Sequence, residues 1–423
     1  MTILVIGGGG REHAVCVALR KSPRCSRLLC APGNGGIASL ATCFPDVKAT
    51  DIDAVIALVR RERVDYVVVT PDDPLAIGMV DALEAVGVKS FGPRKNAAAL
   101  EASKTFSKAL MKKYSIPTAR HETFSNRDSA ANYIAAHGAP IVIKADGLAL
   151  GKGVAVAQTV PEALAFLDEL MLDAKFGASG SSVVIEECLT GPEVTVLALC
   201  DGKTLKTLPS SQDHKRVNDN DEGPNTGGMG AIAPCPLLTA ELLSRCEKEI
   251  FAPTLNALNA EGIEFKGVIY FGLMLTPNGP KVIEYNARFG DPEAQVVLPL
   301  ITSDLLEAML ACSNGTLDKY ELTVSNQSAC CVVMASGGYP RTYQTGYVID
   351  GLTAAADTGA VIYHAGTILD GGIYKTSGGR VLGVTALADT LPDAVNASYA
   401  AVNKISFTDA HFRKDIGVKC LNL

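Results

Sequence analysis

Residues 281–293 read Lys281-Val282-Ile283-Glu284-Tyr285-Asn286-Ala287-Arg288-Phe289-Gly290-Asp291-Pro292-Glu293. Val282 and Ile283 open this stretch as a β-strand, and residues i, i+2 and i+4 of a strand share one face. That period sets Glu284, Asn286 and Arg288 in line on one surface. A carboxylate and an amide oxygen are hard ligands suited to Mg²⁺, which keeps several waters and borrows further oxygens from phosphates. The arginine that follows suits a phosphoryl group in transfer. An incidental surface ion pair is the bland alternative. Three mixed polar groups flanked by apolar residues, however, make a poor solvent face.

Upstream, Lys144-Ala145-Asp146-Gly147-Leu148-Ala149-Leu150-Gly151-Lys152-Gly153 carries a glycine-rich loop. It is not a P-loop: three residues rather than four separate Gly147 from Gly151, and Gly153 stands where Ser or Thr would bind magnesium. A strand-borne Lys144 running into a glycine loop suits another device, a lysine on nucleotide phosphates beneath a mobile lid of Gly151, Lys152 and Gly153. Such a lid excludes water from a reactive acyl phosphate. The apolar strand Val183–Glu187 then ends in Glu186 and Glu187 and continues through Leu189. Its backbone can meet an adenine edge, and Glu193 can accept from ribose hydroxyls.

The chain opens Val5-Ile6-Gly7-Gly8-Gly9-Gly10-Arg11-Glu12-His13, between a strand and a helix, where backbone N–H groups favour an anion. A dinucleotide reading fails, because His13 occupies the third glycine position and no acid follows the second strand at Cys30-Ala31-Pro32-Gly33. A phosphate or phosphosugar held by Gly9, Gly10 and Arg11 fits better, with a plain tight turn as the alternative. His13 reads as a structural helix residue.

With 423 residues, the chain exceeds a single core. Its 38 basic and 45 acidic residues give a net charge of −7, and no Lys/Arg run suggests a nucleic-acid partner. No apolar run approaches the roughly 18 residues of a membrane helix. The start lacks the basic segment of a signal peptide, so the expectation is a cytoplasmic protein. Twelve scattered cysteines without a C-x-x-C pair read as free, mostly buried thiols.

Short strands alternate with helices over the first hundred residues, the rhythm of a parallel sheet covered by helices. Ala97–Tyr114 reads as one helix, Ser328–Met334 and Val361–Ile368 as strands, and Asp370-Gly371-Gly372 as a hairpin turn. Lys144, the glycine lid, Glu186–Leu189, Glu193 and the Glu284/Asn286/Arg288 strand occur in the order of an ATP-grasp enzyme. VIGGGGREH, APGNGG (31–36), FGP (91–93), SQDHKR (211–216), GPNTGGMGA (223–231), RFGDPE (288–293), HAGT (364–367) and FRKDIG (412–417) narrow that further. With these motifs the chain resembles, end to end, the glycinamide ribonucleotide synthetase family.

The resemblance implies an α/β fold of ATP-grasp architecture: an N-terminal parallel-sheet domain (1–103), a linker helix and lid (104–192), a central catalytic domain (193–325) and a small β-rich C-terminal domain (326–423). It implies ATP-dependent ligation of glycine to 5-phosphoribosylamine through glycyl phosphate, with Mg²⁺ or Mn²⁺ as cofactor, by a monomer or small homo-oligomer. On that pattern Lys104 and Lys144 hold nucleotide phosphates, Glu186, Glu187 and Leu189 seat adenine, and Glu193 takes the ribose. Glu284 and Asn286 bind metal while Arg288 steadies the phosphoryl group. Asp213, Lys215 and Asp291 orient the amine and the amino acid. Gly9, Gly10, Arg11, Asn34, Gly379 and Arg380 belong to the substrate pocket.

Some details depart from the family pattern. Thr70-Pro71-Asp72-Asp73-Pro74 replaces a glycine-proline-glutamate run, and Ala102 replaces a glycine. No acid lies in Val268–Leu275, where many ATP-grasp relatives carry a further metal ligand. His214 has no partner legible in the sequence. A polar glycine-rich stretch such as Ser210–Gly230 is otherwise a common surface loop.

Overall fold

The structure, a computed structural model, describes residues 1–148, 153–172 and 182–421. Its first sheet has five parallel strands in the order Thr42–Cys43, Arg27–Pro32, Thr2–Gly7, Tyr66–Val69 and Lys89–Phe91. Ile3 to Ile6 and Tyr66 to Val69 are all buried, because crossover helices cover both faces of a parallel sheet. The helix Gly10–Arg20 begins directly after the first strand, so its free N–H groups stand at the sheet's carboxyl edge.

Two antiparallel sheets follow. One orders His121–Phe124, Val183–Glu187, Ile141–Ala145 and Val154–Ala157, and the helices Arg127–His137 and Val160–Met171 close a separate small core against it. The other orders Leu205–Thr207, Glu193–Asp201, Lys266–Thr276 and Gly279–Asn286. Between its last two strands the register slips: Gly272 faces Glu284, but Leu273 faces Val282. Ile283 is thus the extra residue of a bulge, and its carbonyl turns to other partners.

The last sheet orders Gln212–Asp213, Gly230–Ala233, Ser328–Ala335, Arg380–Ala388 and Val361–His364. Two of its strands lie at the ends of the polar Ser210–Gly230 stretch, so the sheet holds those ends, while the hairpin between them, Arg216–Asn218 paired with Glu222–Asn225, is largely exposed. A Cβ at Gly230 would lie 2.6 Å from Cys331 O, which is how closely the two strands approach.

Three local expectations change. Ala97–Tyr114 is two helices, Lys95–Ala102 and Lys104–Lys113, because Ser103 is extended (φ −132°, ψ 111°) and its hydroxyl caps the second by accepting from Phe106 N–H at 3.0 Å. Val361–Ile368 divides into Val361–His364, in the sheet, and Thr367–Asp370, which pairs with Ile373–Thr376. Gly366 makes the break, since a Cβ there would sit 2.6 Å from Gly378 Cα. The strand carrying Glu284 stops at Asn286, so strand alternation does not place Arg288; its ion pair does, as described below. The hairpin turn at Gly371-Gly372 forms as expected, both residues having positive φ. All twelve cysteines are free, ten of them buried.

Candidate functional site

Glu284 and Asn286 lie near the end of the strand Gly279–Asn286, both half-buried, and the neighbouring Ile283 O accepts from Lys144 of the other antiparallel sheet. Gly272, opposite Glu284, leaves that carboxylate space, for a Cβ there would lie 3.0 Å from Glu284 Cγ. Lys215 Nζ stands 2.7 Å from Glu193 Oε2 and 3.6 Å from Glu284 Oε1. Burial pushes the Glu284 carboxyl up, but Lys215, Lys144, Lys104 and Arg288 together hold it below the usual range. It is therefore an ionised oxygen donor. Among the described residues no group of three or more His, Cys, Asp and Glu could hold a metal ion. The donor set that remains, one carboxylate and one amide oxygen, fits a hard cation that completes its shell with phosphate oxygens and water.

Arg288 is fastened behind this pair. Its Nη2 lies 2.9 Å from Glu101 Oε1 and donates to Asn286 Oδ1 at 3.4 Å, while Glu101 Oε2 accepts from Ala287 N–H at 2.8 Å. Burial would lower the guanidinium, yet Glu101 and Asp72 keep it raised and charged. Its Nε is buried without a partner, an unsatisfied donor.

Beside this strand, Lys144 Nζ donates to the bulged Ile283 O at 2.9 Å and lies 3.0 Å from Glu186 Oε1. Lys104 Nζ donates to Gly147 O at 2.8 Å. Ala145 N–H donates to Gly153 O at 2.8 Å, which closes the base of the glycine loop. Gly151 and Lys152 lie outside the described residues. Glu187 is taken up by Arg120 and Lys281; burial pushes its carboxyl up, but these partners bring it down to about 2. Leu189 follows that strand end half-buried, and Glu193 begins the next strand, exposed.

Segments far apart in sequence converge on the other side. Arg380 Nη1 donates to Gly227 O and Asp291 O, each at 2.7 Å, and its Nη2 pairs with Asp291 Oδ2 at 3.0 Å. Asp291 Oδ1 accepts from Gln295 Nε2 at 2.7 Å. Burial opposes this charge, but Arg380 and Arg11 hold the carboxyl below its ordinary value. A Cβ on Gly9 would stand 3.6 Å from Asp291 Oδ2, and one on Gly10 would stand 2.6 Å from Gln295 Nε2. The glycine loop, Asp291 and Arg380 therefore share one wall. Asp213 sits beside it, its Oδ1 accepting from His214 N–H at 2.7 Å. Burial and the charge of Glu293 push Asp213 well above the carboxylate range, with Lys215 and Arg380 opposing. Gly379 is shaped by packing, since a Cβ there would strike the Tyr339 ring at 2.3 Å.

Several side chains are structural. The Asn34 amide donates to Gly8 O and His364 O and accepts from Gly36 and Ile37 N–H, so all four bonds pin backbone and the side chain has no capacity left for a ligand. His13 Nδ1 accepts from His364 N–H at 2.8 Å. His214 Nε2 accepts from Gly417 N–H at 3.1 Å, with Nδ1 3.3 Å from Gly230 O, so both ring nitrogens serve the fold. Lys375 pairs with Asp370 across its exposed hairpin.

Family models match nearly the whole chain: the phosphoribosylglycinamide synthetase N domain over residues 1–101, its ATP-grasp (A) domain over 102–294 and its C domain over 329–419. The chain belongs to the phosphoribosylglycinamide synthetase family. It is 45% identical to the phosphoribosylamine–glycine ligase of Caldanaerobacter subterraneus subsp. tengcongensis over 98% of this chain and 99% of that one. It is 48% identical to the chloroplastic phosphoribosylamine–glycine ligase of Arabidopsis thaliana over 97% of this chain and 79% of that one. The solved phosphoribosylamine–glycine ligase of Thermotoga maritima superposes with a TM-score of 0.85 at 31% identity, covering 98% and 100% of the two chains. A biotin carboxylase from Campylobacter jejuni, 14% identical with a TM-score of 0.74 over 97% and 92% of the chains, shares the fold.

For a phosphoribosylglycinamide synthetase chain, the residues that sequence reasoning missed are those that brace the others. Glu101 holds Arg288. Glu12 accepts from Gly9 N–H at 2.7 Å and pairs with Arg11 at 2.6 Å. Glu293 accepts from Tyr270 O–H at 2.8 Å, and Lys108 lies 3.1 Å from Glu186. Glu12 and Glu293 lie in the VIGGGGREH and RFGDPE motifs, where a carboxylate next to a glycine turn is a readable signal. Glu101 and Lys108, in a segment that reads only as helix, gave no such signal.

Proposed function

We propose that the chain joins glycine to 5-phosphoribosylamine at the expense of ATP, giving glycinamide ribonucleotide, ADP and phosphate. A carboxylate is a poor acyl donor, so phosphorylation to glycyl phosphate precedes attack by the amine, which expels phosphate. The observation that carries this reading is that two clusters of charged groups adjoin through Lys215 and Arg288, which act on Glu284 in one and on Asp213 or Asp291 in the other. Lys104 and Lys144 face Glu284 and Asn286 on one side, as nucleotide phosphates and a cation require. Asp213 and Asp291, with Arg380 and the glycine loop, form the other, as an amine and a sugar phosphate require.

Within that reading Glu284 and Asn286 hold Mg²⁺ or Mn²⁺, which when bound neutralises phosphate charge during transfer. Arg288, kept charged by Glu101, stabilises the phosphoryl group in flight. Backbone groups of Glu186–Leu189 meet adenine, the Glu186 and Glu187 carboxylates being spent on lysines and arginine, and Glu193 accepts from ribose. Asp291 takes the ammonium of glycine, while Asp213 and Lys215 orient the reacting groups. Gly9, Gly10 and Arg11 with Gly379 and Arg380 receive the sugar phosphate. The partners are small molecules rather than nucleic acid, the protein acts as a monomer or small homo-oligomer, and its place is the cytoplasm. In the structure no helix among the described residues is long and apolar enough to cross a membrane.

The test is ADP release with ATP, Mg²⁺, glycine and fresh phosphoribosylamine, omitting each in turn. The expected result is ADP that requires both glycine and the amine, with one glycinamide ribonucleotide per ADP. ADP formed without the amine, or none at all, overturns the reading. Arg380→Ala separately tests the sugar-phosphate assignment, with a raised KM for the amine as the expected outcome.

A further inference from the structure

Lys108 is assigned no ligand, yet it is buried beside Glu186 (2% exposed), on the helix Lys104–Lys113. Its Nζ stands 3.1 Å from Glu186 Oε1, the same oxygen that Lys144 Nζ approaches at 3.0 Å. Neither ammonium makes a well-directed hydrogen bond to it, for Glu186 Oε1 is buried without a hydrogen-bond partner. Each lysine has a second anchor. Lys108 Nζ donates to Thr118 Oγ1 at 2.7 Å, and that hydroxyl donates to Val282 O at 2.7 Å. Lys144 Nζ donates to Ile283 O at 2.9 Å. One buried carboxylate thus serves two buried cations.

We infer that Lys108 is a positioning residue for nucleotide binding, neutralising Glu186 so that Lys144 can leave that carboxylate for the nucleotide phosphates. The inference rests on the assignment of Lys144 to those phosphates. Lys144 cannot serve both partners at full strength. If it moved with no second cation present, Glu186 would be left buried and unpaired, a costly state. Lys108, tied to Thr118, stays behind and keeps Glu186 compensated. The other charged groups facing Lys108 do not replace it. Glu187 is engaged by Arg120 and Lys281, and His121, opposite Glu186 in the sheet, has its Nδ1 3.0 Å from Ala119 O. Burial lowers the Lys108 ammonium to about 8, so raising the pH beyond that value removes the same charge by titration.

The experiment is calorimetric titration of the full-length protein with ATP and Mg²⁺ at pH 7 and pH 9, for wild type, Lys108→Met and Lys108→Arg. The expected result at pH 7 is a Kd weakened roughly tenfold or more in K108M, with K108R within about threefold of wild type. Wild-type affinity falls between pH 7 and pH 9, and that part of the fall is absent from K108M. Wild-type affinity in K108M, equal loss in K108R, or an unchanged pH dependence in K108M overturns the inference. Should K108M fail to fold, Thr118→Val loosens the ammonium without removing it, and a severalfold weaker Kd is expected; unchanged binding there overturns the inference. Wild-type protein that binds ATP but makes no glycinamide ribonucleotide overturns the proposed function and leaves this inference standing.

Discussion

Glu284 and Glu101 are both carboxylates in the field of Arg288, yet their surroundings give them different work. Glu284 lies in the field of four cations, with Lys215 nearest at 3.6 Å, and remains an open oxygen donor. Glu101 is buried and closed by Arg288 and Ala287 N–H. Glu284→Gln removes the charge a cation needs, so kcat is expected to fall by about 10²–10³, the scale of losing one group preorganised at developing charge. Steady-state ADP release at saturating ATP checks this. Glu101→Gln leaves every proposed ligand in place but loosens Arg288, and kcat is expected to drop about 10–100-fold with KM for ATP little changed. An unaltered kcat in E101Q would mean that Arg288 needs no brace. Arg288 lies beyond the strand's end and is placed by Glu101, whereas Glu284 and Asn286 were legible as a strand pattern. Glu101 was not, because its role depends on a partner 187 positions later and a single helical acid looks solvated.

The elements around the site owe their shape to a few backbone decisions. Ser103 stops one helix and caps the next, which starts the second helix at Lys104. The bulge at Ile283 turns a carbonyl towards Lys144, and strand alternation alone gives no sign of it. Gly230 carries the Asp213–Arg216 loop back into the last sheet, where its missing Cβ permits contact with Cys331 O. Gly230→Val would force those strands apart, with an expected cost of more than about 2 kcal/mol and a weakened grip on Asp213. Urea denaturation reads the first effect and KM for the amine the second. A wild-type midpoint would show that the strands have slack.

Over the whole molecule, one core joins Ile3, Val5 and Tyr66 of the first sheet, Leu197, Val268 and Tyr270 of the central sheet, and Ala329, Cys331 and Tyr363 of the last. The sheet capped by Arg127–His137 and Val160–Met171 keeps a core of its own. Three buried histidines sit where the elements meet. Burial lowers His13 to about 3, and burial likewise lowers His214 and His364 to about 4. The unfolded chain takes up protons at these residues near 6.5, the ordinary histidine value, while the folded chain does not. Their contribution is therefore fully present above pH 6.5 and is lost as the pH falls towards 4. Stability is expected to decline by up to about 4 kcal/mol per pH unit across that window if all three titrate in full. Urea midpoints at pH 7 and pH 5 check this, and His13→Gln should flatten the slope.

The alternation of strands and helices in the first hundred residues, the exclusion of a P-loop and a dinucleotide site, and the carboxylate–amide pair Glu284 and Asn286 follow from local rules of period, spacing and side-chain chemistry. Those rules act within a few residues, so a linear reading reaches them. The shared core, the pairing of Gln212–Asp213 and Gly230–Ala233 with the last sheet, and the commitment of Asn34, His13 and His214 to backbone groups do not. Neither do the Glu101–Arg288 and Lys108–Glu186 pairs. Each depends on which buried polar group finds which partner across the fold. That choice is made by the desolvation cost of leaving either one alone, and it exists only once the chain has packed.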